Sequence, residues 1–219
     1  MDDSNVLEAK DVTVRFNGQT VLDGFSLAVK AGGKAVLTGP SGCGKSTILR
    51  CFLGFMAPSA GTLAVGGTLL TGATVWTLRR QIAYVGQEPD LGAGLVREAI
   101  ERPFQYHANA SLKANIERAP ELFETFGLDP SLLEKETGDL SGGEKQRVAL
   151  VAVLLLDRRI FLLDEITSAL DVASKDAVIG YFRGRQDITA LFVAHDTERF
   201  SFADQLVSLP GPVGRGGAK

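Results

Sequence analysis

Residues 35–53 read Ala-Val-Leu-Thr-Gly-Pro-Ser-Gly-Cys-Gly-Lys-Ser-Thr-Ile-Leu-Arg-Cys-Phe-Leu. Within them, Gly39-Pro40-Ser41-Gly42-Cys43-Gly44-Lys45-Ser46-Thr47 fits G-x-x-x-x-G-K-[ST], the phosphate-cradling pattern. The apolar run Ala35, Val36, Leu37 precedes it, and Ile48, Leu49, Phe52 and Leu53 follow at helical spacing. That is the strand–loop–helix context the pattern needs. Glycines at 39, 42 and 44 let successive backbone N–H groups turn toward one anion, and a helix opening at Lys45 adds its positive dipole end. Lys45 is expected to reach the β- and γ-phosphates, and the Ser46 hydroxyl to ligate Mg²⁺. On composition alone such a string arises in roughly one chain in a hundred of this length. In this context it reads as a nucleoside triphosphate site.

Outward from this loop, the chain has 219 residues, 45% of them hydrophobic and 22% charged, with net charge −3. These figures suit one compact α/β domain, with room for an inserted lobe. The slightly acidic balance gives no electrostatic reason to expect nucleic-acid binding. Cys43 and Cys51 are the only cysteines. A disulfide between them would distort the loop, so a reducing compartment is expected. The opening Met1-Asp2-Asp3-Ser4-Asn5 lacks the apolar segment of a signal peptide. The longest apolar run, Val148 to Leu156, ends at Asp157-Arg158-Arg159. It falls short of the about 20 residues a membrane-spanning helix needs, so no crossing is expected.

Alternation predicts a strand over 6–16, with Val12, Val14 and Phe16 on one face, and a return strand over 21–29 after a turn at Asn17-Gly18. A second hairpin is predicted over 62–70 around Gly66-Gly67. From about 88 to 140 the pattern turns helical. Leu112, Ile116, Ala119, Phe123 and Phe126 keep helical spacing, Pro120 opens a new helix, and Gly127 closes it. Asp129-Pro130 reads as the start of another helix ending before Gly138. Beyond lie a helix over 141–156, a strand over 160–163, a helix over about 172–183, a strand over 188–194, a short helix, and a strand over 204–209. The tail 210–219, rich in Gly and Pro, is expected to be disordered.

The apolar runs 35–37, 82–85, 160–163 and 190–194 each read as buried parallel strands. Each leads into polar groups suited to phosphate or metal: the loop, Gln87, Asp164-Glu165 and His195. In open α/β sheets ligands sit at the carboxyl ends of strands. Asp164 is the expected second Mg²⁺ anchor, and Glu165 the base that orients and polarises the attacking water. Gln87 could ligate the Mg²⁺ or hold the water, against the plain reading of a solvated strand end. His195 could donate to the γ-phosphate, against the plain readings of a cap on the following helix or a partner to a core carbonyl. In Leu140-Ser141-Gly142-Gly143-Glu144-Lys145-Gln146-Arg147, a capping box accounts for Ser141 and Glu144 but leaves Gly142-Gly143 unexplained unless a backbone approaches closely there. Glycines, a serine hydroxyl and a helix N-terminus together make a second anion site, and a dimer with shared sites would bring two such sites to one nucleotide.

With these residues in view the chain resembles ATP-binding cassette (ABC) ATPases over about residues 6–209. The Walker A loop is Gly39 to Thr47, the Q-loop carries Gln87, the signature is Leu140 to Arg147, and Walker B is Ile160 to Glu165. The D-loop is Ser168-Ala169-Leu170-Asp171 and the switch histidine is His195. The resemblance implies an α/β P-loop NTPase core with a mostly parallel sheet, a small antiparallel β subdomain and a helical subdomain inserted at about 88–140, all in one domain over 1–219. It implies ATP and Mg²⁺ as cofactors and an ATP-dependent homodimer that sandwiches two nucleotides. In that dimer Ser141, Gly142 and Gly143 touch the partner's γ-phosphate, Glu144 belongs to the same nucleotide-binding segment, and Asp171 connects the two sites. Phe16 stands where such proteins stack an aromatic ring on adenine, although it also reads as a core strand residue. Glu144 replaces a common Gln, and Ile166 a common Pro.

The segments Asp164 to Asp171 and Arg102-Pro103-Phe104-Gln105 resemble the small ATPases of iron-efflux (Fet-type) systems, while lipoprotein-release and amino-acid-uptake ATPases share the core. The implied role is an ATP-hydrolysing subunit driving a separate membrane permease, for metal (iron) export, held peripherally on the cytoplasmic face of the inner or plasma membrane. A soluble ATP-dependent clamp would usually carry two cassettes or long insertions. A small-molecule kinase would have no use for Leu140–Arg147, and a dead binding module would not keep Lys45, Asp164 and Glu165 intact.

Overall fold

The computed structural model of the protein describes residues 4–211. Along the chain run β1 (Asn5–Phe16), β2 (Gln19–Lys30), β3 (Lys34–Thr38), α1 (Lys45–Phe52), β4 (Ala60–Val65), β5 (Thr68–Leu69), α2 (Val75–Arg79) and β6 (Ile82–Val85). Then come α3 (Val96–Glu101), α4 (Ala119–Thr125), α5 (Gly142–Leu154), β7 (Ile160–Asp164), α6 (Val172–Gly184), β8 (Thr189–Val193) and β9 (Gln205–Ser208). The tail expected to be disordered lies, past Gly211, outside the described residues. The chain folds as two units. One takes residues up to Ile82, Arg159–Asp164 and those from Arg185 on; the other takes Ala83–Arg158 and Glu165–Gly184. The stretch 88–140 lies inside the second unit, which also takes in α5 and α6.

The first unit holds two sheets. An antiparallel one has the order β2-β1-β4-β5, and a parallel one carries β7-β8-β3-β9 as neighbours. Every residue of β7 and β8 is buried, as are Ala35 to Leu37 of β3. Continuous apolar runs behave this way when both sheet faces are covered. α1 turns Ile48, Leu49, Cys51 and Phe52 into the core that Leu7, Val12, Leu37, Leu162 and Leu191 share from both sheets. Both cysteines are free and buried. Burial pushes the Cys51 thiol up to about 11, far from thiolate chemistry.

In β1 the expected face holds for Val12 and Val14, which are buried, but not for Phe16, whose ring is 60% exposed. The β1–β2 register shifts between Val12 and Val14 and again before Arg15, which breaks the alternation before the strand ends. The core-strand reading of Phe16 is therefore wrong.

In the second unit α5 is the central helix, with α3 and α4 against it. α4 starts one residue before Pro120 and ends as expected at Gly127. The Gly127 N–H donates to the Glu124 carbonyl (3.0 Å) and the Leu128 N–H to that of Phe123 (2.8 Å), a paired C-terminal cap closed by two buried apolar side chains. Two expectations fail here. The stretch 107–118 is 3₁₀ rather than α and buries no residue. Its Asn109 and Asn115 amides donate to the Pro103 and Leu155 carbonyls (both 2.9 Å), ties outside the segment that an isolated apolar pair cannot outweigh. The helix expected to run to just before Gly138 is two 3₁₀ turns, Pro130–Glu134 and Thr137–Asp139. Thr137 interrupts it, donating its N–H to Gly94 O and its hydroxyl to Gly92 O.

Candidate functional site

The loop between β3 and α1 is shaped by crowding at two glycines. Gly39 and Gly44 have φ of 142° and 102°. A Cβ at the first would lie 2.7 Å from Leu209 O and 2.9 Å from Cys43 Sγ; at the second, 2.7 Å from Leu22 Cδ2. Only glycine fits there. Gly44 is the N-cap of α1, no side chain caps this helix, and no acid stands in its first turn. Its leading N–H groups therefore meet no carboxylate from the first turn of their own helix and suit an anion. Lys45, only 5% exposed, folds its ammonium back onto the loop, donating to Gly39 O (2.8 Å) and Pro40 O (3.0 Å). Ser46 and Thr47 follow, half-buried.

The parallel register brings further expected residues to the same sheet edge. Leu37 pairs with Val193, and Val193 with Asp164. The loop, Asp164 (5% exposed) and the segment Ala194-His195 thus leave neighbouring strands at one level. His195 is exposed. Next to it, the Asp196 carboxylate accepts the Glu198 N–H at 3.1 Å. Glu165 follows Asp164 at the boundary between the units and has φ of 50°, the left-handed region. A non-glycine residue held there stores strain of order 1–3 kcal/mol, a mark found more often at functional positions than elsewhere.

In the second unit Ser141 caps α5. Its Oγ accepts the Glu144 N–H (3.2 Å), while both its hydroxyl and its N–H donate to Glu144 Oε2 (2.8 Å each). These Ser141 hydrogen bonds hold the Glu144 carboxyl below its ordinary value, helped by the fields of Lys135 and Arg147. The two signature glycines differ. A Cβ at Gly143 would lie 3.0 Å from the Ala169 carbonyl oxygen, so the D-loop backbone explains that residue. A Cβ at Gly142 would meet nothing closer than Ala169 Cβ at 3.9 Å. Asp171 caps α6, accepting the Ser174 N–H and hydroxyl at 2.9 Å each, which lowers its carboxyl below the ordinary value.

Gln87 is exposed. The residue before it, Gly86, accepts a hydrogen bond from the Gln146 amide at 3.0 Å, and Gln146 is 3% exposed. Sequence reading passed over this tether. The signal available was a polar amide two positions before the apolar run starting at Val148. Arg147 was passed over too; its guanidinium binds the Phe126 and Gly127 carbonyls at 2.9 and 3.0 Å, at the C-terminal end of α4.

A glycine-built loop running from a buried parallel strand into an uncapped helix, with a carboxylate at the same sheet edge, defines a P-loop nucleotide-binding fold. The family described as ABC transporter matches residues 22–168. The chain is 33% identical over 220 residues to the "Probable iron export ATP-binding protein FetA" of Escherichia coli (strain K12), covering 97% of this chain and 95% of that protein. It is 36% identical to an "Fe(3+) ions import ATP-binding protein" of Rhodococcus jostii (strain RHA1), of whose length it spans only 58%. The dimeric MJ0796 bacterial ABC transporter cassette superposes with a TM-score of 0.82 at 25% identity, over 93% of this chain and 94% of that one. A post-hydrolysis dimer of the same cassette, bound to ADP and Pi, gives 0.81 at 26% identity and the same coverage. The chain belongs to the ABC transporter family and is an ATP-binding, ATP-hydrolysing subunit of a membrane transporter. Among the described residues, no helix is long and apolar enough to cross a membrane.

Proposed function

We propose that two copies of this chain close head to tail around two MgATP and that hydrolysis drives a separate permease on the cytoplasmic face of the inner or plasma membrane. The observation that carries this reading is the loop ahead of α1: an uncapped helix N-terminus, two glycines that admit no Cβ, and a lysine parked on neutral carbonyls. A triphosphate gives Lys45 charged acceptors instead, each roughly twice as strong a partner as a carbonyl. Gly39, Ser41, Gly42, Cys43, Gly44 and Thr47 complete the cradle, and the exposed Phe16 ring offers a face to adenine.

The Ser46 hydroxyl and the Asp164 carboxylate are hard oxygen donors of the kind Mg²⁺ takes, and Gln87 can add an amide oxygen. Among the described residues no three His, Cys, Asp or Glu side chains form a metal cluster. A nucleotide-borne Mg²⁺ fits this donor set, since phosphates and water fill most of its shell. When bound, the ion neutralises charge on the β- and γ-phosphates.

Glu165 accepts a proton from the attacking water. The water oxygen bonds to the γ-phosphorus as the bond to the β–γ bridging oxygen breaks, leaving ADP and phosphate. His195 donates to the γ-phosphate, and Ser141, Gly142 and Gly143 close on it from the second copy. The cargo we assign is iron and the direction export, supported by the relative matched over nearly its full length and by the Arg102–Gln105 segment.

Glu165→Gln should retain ATP and elute from gel filtration as a dimer. A monomer with undiminished turnover would falsify the assignment of the base. Cells producing the chain with its permease should lose preloaded iron faster than cells producing Glu165→Gln, whereas faster uptake would reverse the direction.

A further inference from the structure

The two helix N-termini of the proposed shared site are built oppositely. α1 has no side-chain cap and no acid in its first turn. α5 has both, and its acid is close: Glu144 Oε2 takes the Ser141 hydroxyl proton and the Ser141 N–H, each at 2.8 Å. A serine hydroxyl has one proton to give. A phosphate oxygen that needs this proton must first displace a carboxylate. Ser141 and Gly142 are nevertheless exposed, and Gly142 keeps a space that nothing in its own unit fills within 3.9 Å. The position is open to an approaching group while its best donor is already engaged.

We infer that Glu144 is a built-in competitor for the partner's γ-phosphate, holding Ser141 until ATP displaces it and so raising the ATP concentration at which the dimer closes. The inference rests on the shared-site reading above and adds its regulation. Glu144 is a positioning residue that acts through Ser141. The mask is electrostatic rather than steric, because the displaced group carries the same sign as the phosphate that replaces it. pH is not its switch. Ser141's hydrogen bonds, with Lys135 and Arg147 as the charged groups acting on the carboxylate, keep it ionised through the neutral range.

The test compares Glu165→Gln with Glu165→Gln/Glu144→Gln, titrating MgATP and reading the dimer fraction by sedimentation. Glutamine keeps the shape of the capping box and removes the charge. Half-maximal dimerisation should then need roughly tenfold less ATP, since neutral hydrogen bonds are about half as strong as charge-assisted ones. Glu144→Ala in the same background should shift the requirement in the same direction, which guards against a glutamine-specific artefact. An unchanged or higher ATP requirement in both variants overturns the competitor and leaves the shared site standing. A Glu165→Gln chain that stays monomeric at saturating MgATP overturns the shared site itself.

Discussion

At Gly142 and Gly143 two identical side chains answer to different causes. Gly143 is required by its own chain: an added Cβ at 3.0 Å from a backbone oxygen forces the D-loop to move. Gly142 has room, and Ala at a helical position is favoured over Gly by up to about 1 kcal/mol. Gly142→Ala should therefore melt at or above the wild-type temperature yet hydrolyse ATP poorly, because the proposed shared site brings the partner's phosphate into the space it fills. Gly143→Ala should melt lower. Melting curves beside steady-state ATPase rates check both, and full activity in Gly142→Ala would sink the close approach. The sequence made these glycines suspicious without telling them apart, since spacing cannot reveal which neighbour is near. Lys34 was equally silent. It reads as an ordinary lysine after Gly32-Gly33, yet its ammonium is buried among the Gly32, Arg185 and Ile188 carbonyls at 2.6, 3.0 and 2.6 Å. Burial lowers its pKa against the pull of Asp204 and Asp187. Two of its three carbonyl partners lie 151 and 154 residues away in sequence, beyond any local pattern.

α5 and α6 begin with carboxylates that serve as caps, and this gives the elements a shared dependence on acid. Glu144 and Asp171 both have carboxyls lowered in the fold by hydrogen bonds from Ser141 and Ser174. A folded pKa below the unfolded one adds stability above the unfolded value, and that stability is lost as pH falls through the folded value. Melting temperature should therefore drop as pH falls below about 4.5, the ordinary glutamate range. Asp171→Ala should lower it by about 2–4 °C at neutral pH and flatten part of the acid slope. Scanning calorimetry from pH 7 to 3 checks this; a slope identical to wild type would show that the cap carries no linkage. α5 was legible because a serine ahead of an apolar face, with a glutamate three residues on, marks a start; Asp171 was read only as part of the D-loop, and its capping of α6 was not. The parallel strands were legible for a similar local reason, being unbroken apolar runs ending at turns. What was not legible was 107–118, where two apolar residues at helical spacing meet no core, and α2, whose five residues are too few to display a period. Phe16 shows the same limit, since a register shift moved it to the surface without altering the pattern that predicted it inside.

For the whole molecule the decisive matter is that loop and signature belong to different units of one chain, while a shared site needs them from two chains. Lys45→Ala removes the loop's cation but leaves Ser141 and its glycines intact. Ser141→Arg blocks the signature face but leaves the loop intact. Each chain by itself should lack hydrolysis, because every site in either homodimer contains one damaged half. Mixed in equal amounts, the two should form heterodimers holding one site with Lys45 from one chain and Ser141 from the other. Half the dimers are then mixed and each has one good site of two, so activity should return to about a quarter of wild type if the sites act independently. Titrating one variant into the other and following phosphate release should give a maximum near equal proportions. A mixture as inactive as its components would mean that loop and signature never meet across two chains, whereas activity in Ser141→Arg by itself would mean that one chain completes its own site.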